Sequence, residues 1–346
     1  MLSFTEFQEY AQMNLADALP PGYEDAKISI NKVVKNNGMV LTALTVLPDG
    51  QNVAPNIYLD GFYMEYKGGT DLSTIMDEMA DICMAHINPV PEFENLATDF
   101  RNFDYVKERV IMVAIGRERN AELLSDVPHQ NREDLALIYK VLVNSDEEGI
   151  GSITIHNNHL DYWGVSADEL HALAEENTQR LLPATVQSMD EVMREIFSKD
   201  GMDEEMMDAL FAERPADELM YVISNTSKVN GAAAMFYEDV LSNLSEKLGT
   251  DLFILPSSIH ECIAVSSRTF TAEGLAEMVV EVNENQVAPE ERLSDHVYRY
   301  DAKEKTISLA DTTVEALGLV AAENNQNYEA SLLRRKAKAD KESLCR

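Results

Sequence analysis

The chain opens with apolar residues at helical spacing. Phe4, Phe7, Tyr10 and Ala11 fall on one face, Ser3 and Glu6 have capping-box spacing, and "LPPGY" stops the helix they predict. "AKISINKVV" and "MVLTALTVL" then alternate apolar and polar positions on either side of "KNNG", the pattern of a β-hairpin. A short helix follows over "YLDGFYMEY", closed by Gly68 and Gly69. A longer one covers residues 71–86, with Ile75, Met79, Ile82, Cys83 and His86 on its inner face.

"NPVPEF" interrupts the pattern. "RVIMVAIG", "DLALIYKVLV" and "GSITIH" predict three strands, with a short helix over "NAELLSD" between the first two. In "WGVSADEL", Ser166 and Glu169 form a capping box and Val165 and Leu170 a hydrophobic staple. Leu170, Leu173, Asn177 and Leu181 continue that helix until Pro183. Helices over 189–197 and 203–211 turn Val192, Met193, Ile196 and Phe197, then Met206, Met207, Leu210 and Phe211, toward a core. "ELMYVIS" and "AAAMFY" predict strands around "NTSKVNG", and a helix over 238–248 stops at Gly249. "DLFILP" and "HECIAVS" are the next strands. Thr271 caps a helix with Phe270 and Leu275 as its staple and Leu275, Met278, Val279 and Val282 inward, and "VYRYDAKEKTISL" closes as a hairpin.

Strands come in pairs with helices between the pairs. That order predicts an α+β fold with antiparallel or mixed sheets, not the alternation of a doubly wound sheet. The expected organisation is an N-terminal unit over residues 1–92 and an α+β core over 93–310. The core is open to division into 93–185 and 186–310, and a partly helical, basic-ended tail covers 311–346.

Charge changes the picture. The 346 residues hold 61 acidic and 28 basic side chains, a formal net charge of -33. Such a surface repels phosphate backbones and anionic lipid, so neither nucleic acid nor membrane is an expected partner, and a basic protein is. The tail is the exception, with Arg334, Arg335, Lys336, Lys338, Lys341 and Arg346 against Asp340 and Glu342. "MLSFTEFQEY" has no secretory character and no apolar run approaches membrane-spanning length, so the expected location is cytoplasmic. Cys83, Cys262 and Cys345 make neither a disulfide framework nor a zinc motif, and no cofactor is expected.

Candidate chemistry concentrates in "LPSSIHECIAVSS", which holds Ser258, His260, Glu261 and Cys262. Read as a strand, it places Ser258, His260, Cys262 and Ala264 on one side, with Ile259, Ile263 and Val265 on the other. A hydrolytic centre built on His260 would use Ser258 and Glu261, joined by Asp295 and His296 from "LSDHVYRYD". No G-x-S-x-G elbow presents a serine, and a half-buried strand is the plainer reading. "NTSKVNG" offers Asn225, Lys228 and Asn230 for an anion, without P-loop or G-x-G-x-x-G order, so an ordinary turn competes. His156 and His159, with His171 beyond, could approach a metal, but no metalloprotease spacing is present and loop capping is the alternative. Trp163 is expected to be a packing anchor.

Several long segments resemble an uncharacterised family of gut Clostridia, often encoded near integrative and conjugative elements. They are "NIYLDGFYMEY", "VPHQNREDLALIYKV", "ITIHNNHLDYWGVSADELHALAEENTQRLLP", "SNTSKVNGAAAMFY", "GTDLFILPSSIHE" and "VNENQVAPEERLSDHVYRYD". The resemblance spans about residues 1–310, and "WGVSADELHALAEEN" is also similar to a second uncharacterised family of Gram-positive bacteria. It implies a mobile-element context and no catalytic residues. The leading expectation is an acidic, non-catalytic accessory or interaction protein. A hydrolase centred on His260 and an acidic DNA mimic stand as alternatives.

Overall fold

The computed structural model describes residues 1–20, 23, 25–48, 56–85, 100–146, 149–211 and 214–310. "NPVPEF", His86, the 311–346 tail and the unit boundary at 92 lie outside those residues. The fold is α+β, with three antiparallel sheets among the described residues.

The N-terminal layer is built from local signals. Helix α1 (Phe4–Ala18) carries the Ser3–Glu6 capping box and buries Phe7, Ala11 and Leu15. Strands β1 (Lys27–Val34) and β2 (Val40–Leu47) pair in register from Lys27↔Leu47 to Val34↔Val40. The tight turn between them places Asn37 at φ 61° and Gly38 at φ 66°, a conformation Asn and Gly adopt at least cost. Strand β3 (Asn56–Tyr58) joins β2. Helices α2 (Leu59–Gly68) and α3 (Leu72–Ala85) close the layer, and Gly69 ends α2 in the left-handed conformation. Phe7, Leu15, Leu44, Ile57, Ile75, Met79 and Cys83 form one core here. Ile82, expected inside, is 37% exposed.

The second sheet centres on β6 (Leu135–Asp146), with β4 (Val110–Gly116) on one side and β5 (His129–Arg132) and β7 (Gly149–Thr154) on the other. Two short helices precede and follow β4, α4 (Phe103–Val106) and α5 (Ala121–Leu124). Helix α6 (Asn157–Trp163) leads into α7 (Ala167–Leu181), which starts at the expected Ser166–Glu169 box. Thr178 Oγ1 accepts the Met112 N–H at 2.9 Å and ties α7 to β4.

The third sheet has six strands in the order β13-β12-β10-β11-β9-β8. These are β8 (Ala184–Ser188), β9 (Tyr221–Asn225), β10 (Leu252–Leu255), β11 (Cys262–Ser266), β12 (Tyr298–Asp301) and β13 (Thr306–Leu309). Helices α8 (Met189–Lys199), α9 (Glu204–Leu210), α10 (Val240–Leu248) and α11 (Ala272–Asn285) connect and cover them. Alternate residues of the second and third sheets, among them Met112, Leu137, Tyr139, Ile223, Ile254, Ala264 and Tyr298, meet in one core that runs from Val106 to Tyr300 in sequence. Helix α11 covers the opposite face of the third sheet through Leu275 and Val279, against Val265. Among the described residues no helix is long and apolar enough to cross a membrane.

Three expectations are corrected. "AAAMFY" is not a strand. It lies within a 3-10 helix, Gly231–Phe236, whose three alanines are fully buried between the two sheets, where only small side chains fit. The strand expected from His260 starts at Cys262, so Ser258 and His260 stand in the approach to it. The apolar faces of α8 and α9 are largely open. Helix α8 buries no residue, Ile196 is 47% exposed, and Met206 and Leu210 are each 58% exposed, while Met207 alone of α9 is buried. Met278 of α11 is likewise exposed.

Candidate functional site

The approach to β11 is held by chain far away in sequence. Residues 291–294 run against 256–259: the Ile259 N–H donates to Glu291 O at 2.8 Å, Leu293 to Ser257 O at 2.9 Å, and Ser294 to Pro256 O at 2.9 Å. Ser258 bridges to Arg292 in the same run. This brings Glu291 Oε1 within 3.4 Å of His260 Nε2. From the other side, Ser224 Oγ at the end of β9 donates to His260 O at 2.7 Å, and the Asn230 N–H donates to His260 Nδ1 at 3.2 Å. An Nδ1 that accepts carries no proton, so a neutral imidazole here is the Nε2–H tautomer, with Glu291 as the carboxylate near that nitrogen.

The loop at 225–231 is shaped by its own side chains. Asn225, fully buried, donates from Nδ2 to Val229 O at 2.9 Å and accepts the Ser227 N–H at 3.0 Å. Lys228 and Asn230 sit at φ 57° and 53°. Lys228 Nζ lies 3.9 Å from Glu195 Oε2. Gly231 has no room for a side chain: a Cβ there would fall 2.5 Å from His260 O and 2.7 Å from Asn225 N.

Thus the fold brings together Ser258, His260, Asn225, Lys228 and Asn230, with Glu291 as a member that spacing along the chain did not reveal. Ser258 Oγ accepts the backbone N–H of His260 at 3.0 Å. Both ring nitrogens of His260 are engaged, one by Asn230 and one by Glu291. Burial pushes the Cys262 thiol up, Glu261 adds to it in the same direction, and a thiol held in that form is inert. His296 belongs to a neighbouring cluster. Its N–H donates to Ser294 Oγ at 3.0 Å, and it lies near Asp134. Asp134 accepts from Ser294 Oγ at 2.7 Å and from the Tyr298 hydroxyl, and burial holds its carboxyl above the usual range. Asp295 pairs with Arg119 and accepts from Asn283 Nδ2 at 2.7 Å.

His156 and His159 stand elsewhere, at the start of α6. The His156 N–H donates to His159 Nδ1 at 3.0 Å, and His156 Nδ1 meets Asp126 Oδ2 at 2.7 Å. Among the described residues no group of three His, Cys, Asp or Glu side chains could hold a metal ion. Trp163 packs with Phe100, Phe103 and His159 and donates to Phe100 O at 3.1 Å. His171 Nδ1 and the buried Tyr139 hydroxyl share a hydrogen bond at 3.0 Å.

Two adjoining cavities open beside the 3-10 helix and share Phe236 and Glu238. The larger, about 840 Å³, runs along α7 and is lined by Glu175, Glu176, Gln179 and Arg180. Arg180 donates to Asn177 Oδ1 and Glu108 O, each 2.8 Å distant, and the carboxylates of Glu175, Glu176 and Glu238 outnumber it in this groove. The smaller, about 560 Å³, lies between the β5–β6 turn and the β12–β13 hairpin. Neither was visible in the sequence, because their walls come from residues 131 to 307 and meet only in the fold.

The chain belongs to a family of unknown function, DUF5688, whose model matches residues 4–302. No curated protein and no solved structure matches it.

Proposed function

We propose that this member of a family of unknown function is a non-catalytic interaction protein that receives a basic segment of a protein partner in the groove along α7. The observation that carries this reading is the set of exposed carboxylates Glu175, Glu176 and Glu238 around the half-buried Phe236 in one groove. Lys and Arg place their charge among carboxylates and their aliphatic stems on an apolar ring. The net charge of -33 steers such a partner toward the surface, and the groove selects where it settles.

The test separates the groove from the global charge. Glu175→Gln, Glu176→Gln and Glu238→Gln together change the formal charge from -33 to -30, which leaves long-range attraction nearly intact. A labelled Lys/Arg-rich peptide should lose about tenfold in affinity, equivalent to about 1.4 kcal/mol. Unchanged affinity would reject the groove. The resemblance to proteins encoded near conjugative elements makes a DNA-processing protein one class of basic partner, and competition with DNA at low salt is the outcome that would single it out.

A hydrolase centred on His260 is the second reading, favoured by the meeting of His260, Ser258, Glu291 and the 225–231 loop. Its chemistry needs a ring nitrogen released from Asn230 or Glu291 to serve as a base. A His260→Ala protein with undiminished activity on every substrate it hydrolyses would remove it.

A further inference from the structure

The smaller cavity has a different character from the groove beside it. Arg132 and Lys305 line it together with Glu133, Glu238 and Asp239. Charges of both signs thus share one space, yet no ion pair joins any of them among the described residues. Other arginines close on carboxylates, as in Arg299–Asp251 at 2.6 Å and Arg194–Asp208 at 2.8 Å. Arg132 instead donates to the carbonyl of its neighbour Asn131 at 3.2 Å.

The backbone around the cavity is unusual as well. Glu133, Asp239 and Lys305 have φ of 54°, 65° and 52°. They are three of the six non-glycine residues in the left-handed region among those described, and all three line this cavity. Residues that carry a Cβ adopt this conformation against a steric penalty, and conformations of this kind persist where the fold holds a site in shape. The walls between the charges are aromatic and aliphatic, from Phe236, Tyr298, Tyr300 and Ile307, and the Tyr298 hydroxyl is tied down by Asp134. At about 560 Å³ the cavity falls in the size range of small-molecule sites.

A simple anion would meet three carboxylates here and a simple cation would meet Arg132 and Lys305. A ligand carrying both signs satisfies both sets. We propose that this cavity binds a small zwitterion, a free amino acid or a dipeptide, its carboxylate toward Arg132 and Lys305 and its ammonium toward the acidic side chains. The site is separate from the basic-partner groove, touching it only at Phe236 and Glu238.

The experiment is calorimetric titration of the full chain with the common amino acids and their glycyl dipeptides, one at a time. At least one should bind saturably, and its N-acetylated and its C-amidated forms should each bind at least tenfold more weakly. Arg132→Gln, at the end of β5, and Lys305→Gln, in the β12–β13 turn, both outside the core, should each weaken binding at least tenfold without changing the melting temperature in the absence of ligand. No saturable binding by any probe would overturn the proposal. So would a ligand whose blocked forms bind equally well, or whose affinity survives the Arg132→Gln, Lys305→Gln double change. None of these variants alters Glu175 or Glu176, so this result stands or falls apart from that of the groove.

Discussion

At the residue scale, two glycines show how differently the same atom is tolerated. At Gly231 a methyl group would press on the His260 carbonyl and the Asn225 nitrogen, both main-chain atoms that cannot yield without moving two loops. Gly61, inside α2, has nothing within 4 Å of its absent Cβ. Gly231→Ala is expected to destabilise the protein by about 3 kcal/mol or more, whereas Gly61→Ala should stabilise it by up to about 1 kcal/mol. Denaturant unfolding of the two variants checks the opposite signs. His171 offers a pH test. Its pKa is lowered, first by burial and then by Arg132, against the raising effects of Glu175 and Asp168. The unfolded chain therefore takes the proton more readily than the native one. The stability that follows is complete above about pH 6.5 and is lost as pH falls through and below that value. His171→Gln can still share a hydrogen bond with the Tyr139 hydroxyl but does not titrate, so its stability should decline less between pH 7 and 5.

At the element scale, caps dominate what is predictable. Ser3, Ser166 and Ser188 each begin a helix with a Glu three residues on, and each forms the reciprocal box. Ser188→Ala should cost about 1 kcal/mol near neutral pH, read from thermal or denaturant unfolding. Glu191 is held below the usual carboxylate range, first by the Ser188 N–H and then by the Ser188 hydroxyl. Its contribution is present above the ordinary value of 4.5 and is lost as pH falls through the lowered one. Glu191→Gln keeps the box geometry but should flatten stability against pH in that acidic window. Caps and hairpin turns were legible because their partners lie three or four residues apart. Strands β3, β5 and β8 were not, since short segments such as "HQNR" become strands only when β2, β6 or β9 supplies the ladder. "AAAMFY" has strand-like composition but no face that must alternate, and it settles as a 3-10 helix. The apolar stripes of α8 and α9 were read correctly as stripes and wrongly as buried ones, because amphipathicity does not say what lies opposite.

At the scale of the whole molecule, two cores are joined by polar contacts at a hairpin tip. The N-terminal core ends at Cys83 and the larger one begins at Val106. Between them, Asn37 donates from its N–H to Asn120 Oδ1 at 2.8 Å and from Nδ2 to Pro289 O and Arg292 O at 2.8 and 2.7 Å, while Asn36 Nδ2 reaches Glu290 O at 2.8 Å. Asn120, nearly buried, returns bonds to both. Asn37→Gly keeps the left-handed turn and removes the side-chain bonds, at a cost of about 2 kcal/mol to the junction. Scanning calorimetry should then resolve the N-terminal core as a separate, lower transition. Leu15→Ala should lower that same transition, by about 3 kcal/mol.

The sequence alone determined the α+β class, the capped helices, the Asn-Gly hairpin and the acidic character, for these depend on neighbours a few residues apart or on simple sums. It also singled out His260 and the 225–231 loop, which the fold does bring together. Only the tertiary structure decided that Glu291 is the carboxylate at His260, that Cys262 begins its strand, and that five charged side chains of both signs line one cavity with no ion pair between them among the described residues. Those facts depend on residues 30 to more than 170 positions apart meeting across two sheets, as at His260 and Asn230 or at Arg132 and Lys305. No periodicity of 2 or 3.6 residues records a contact of that range.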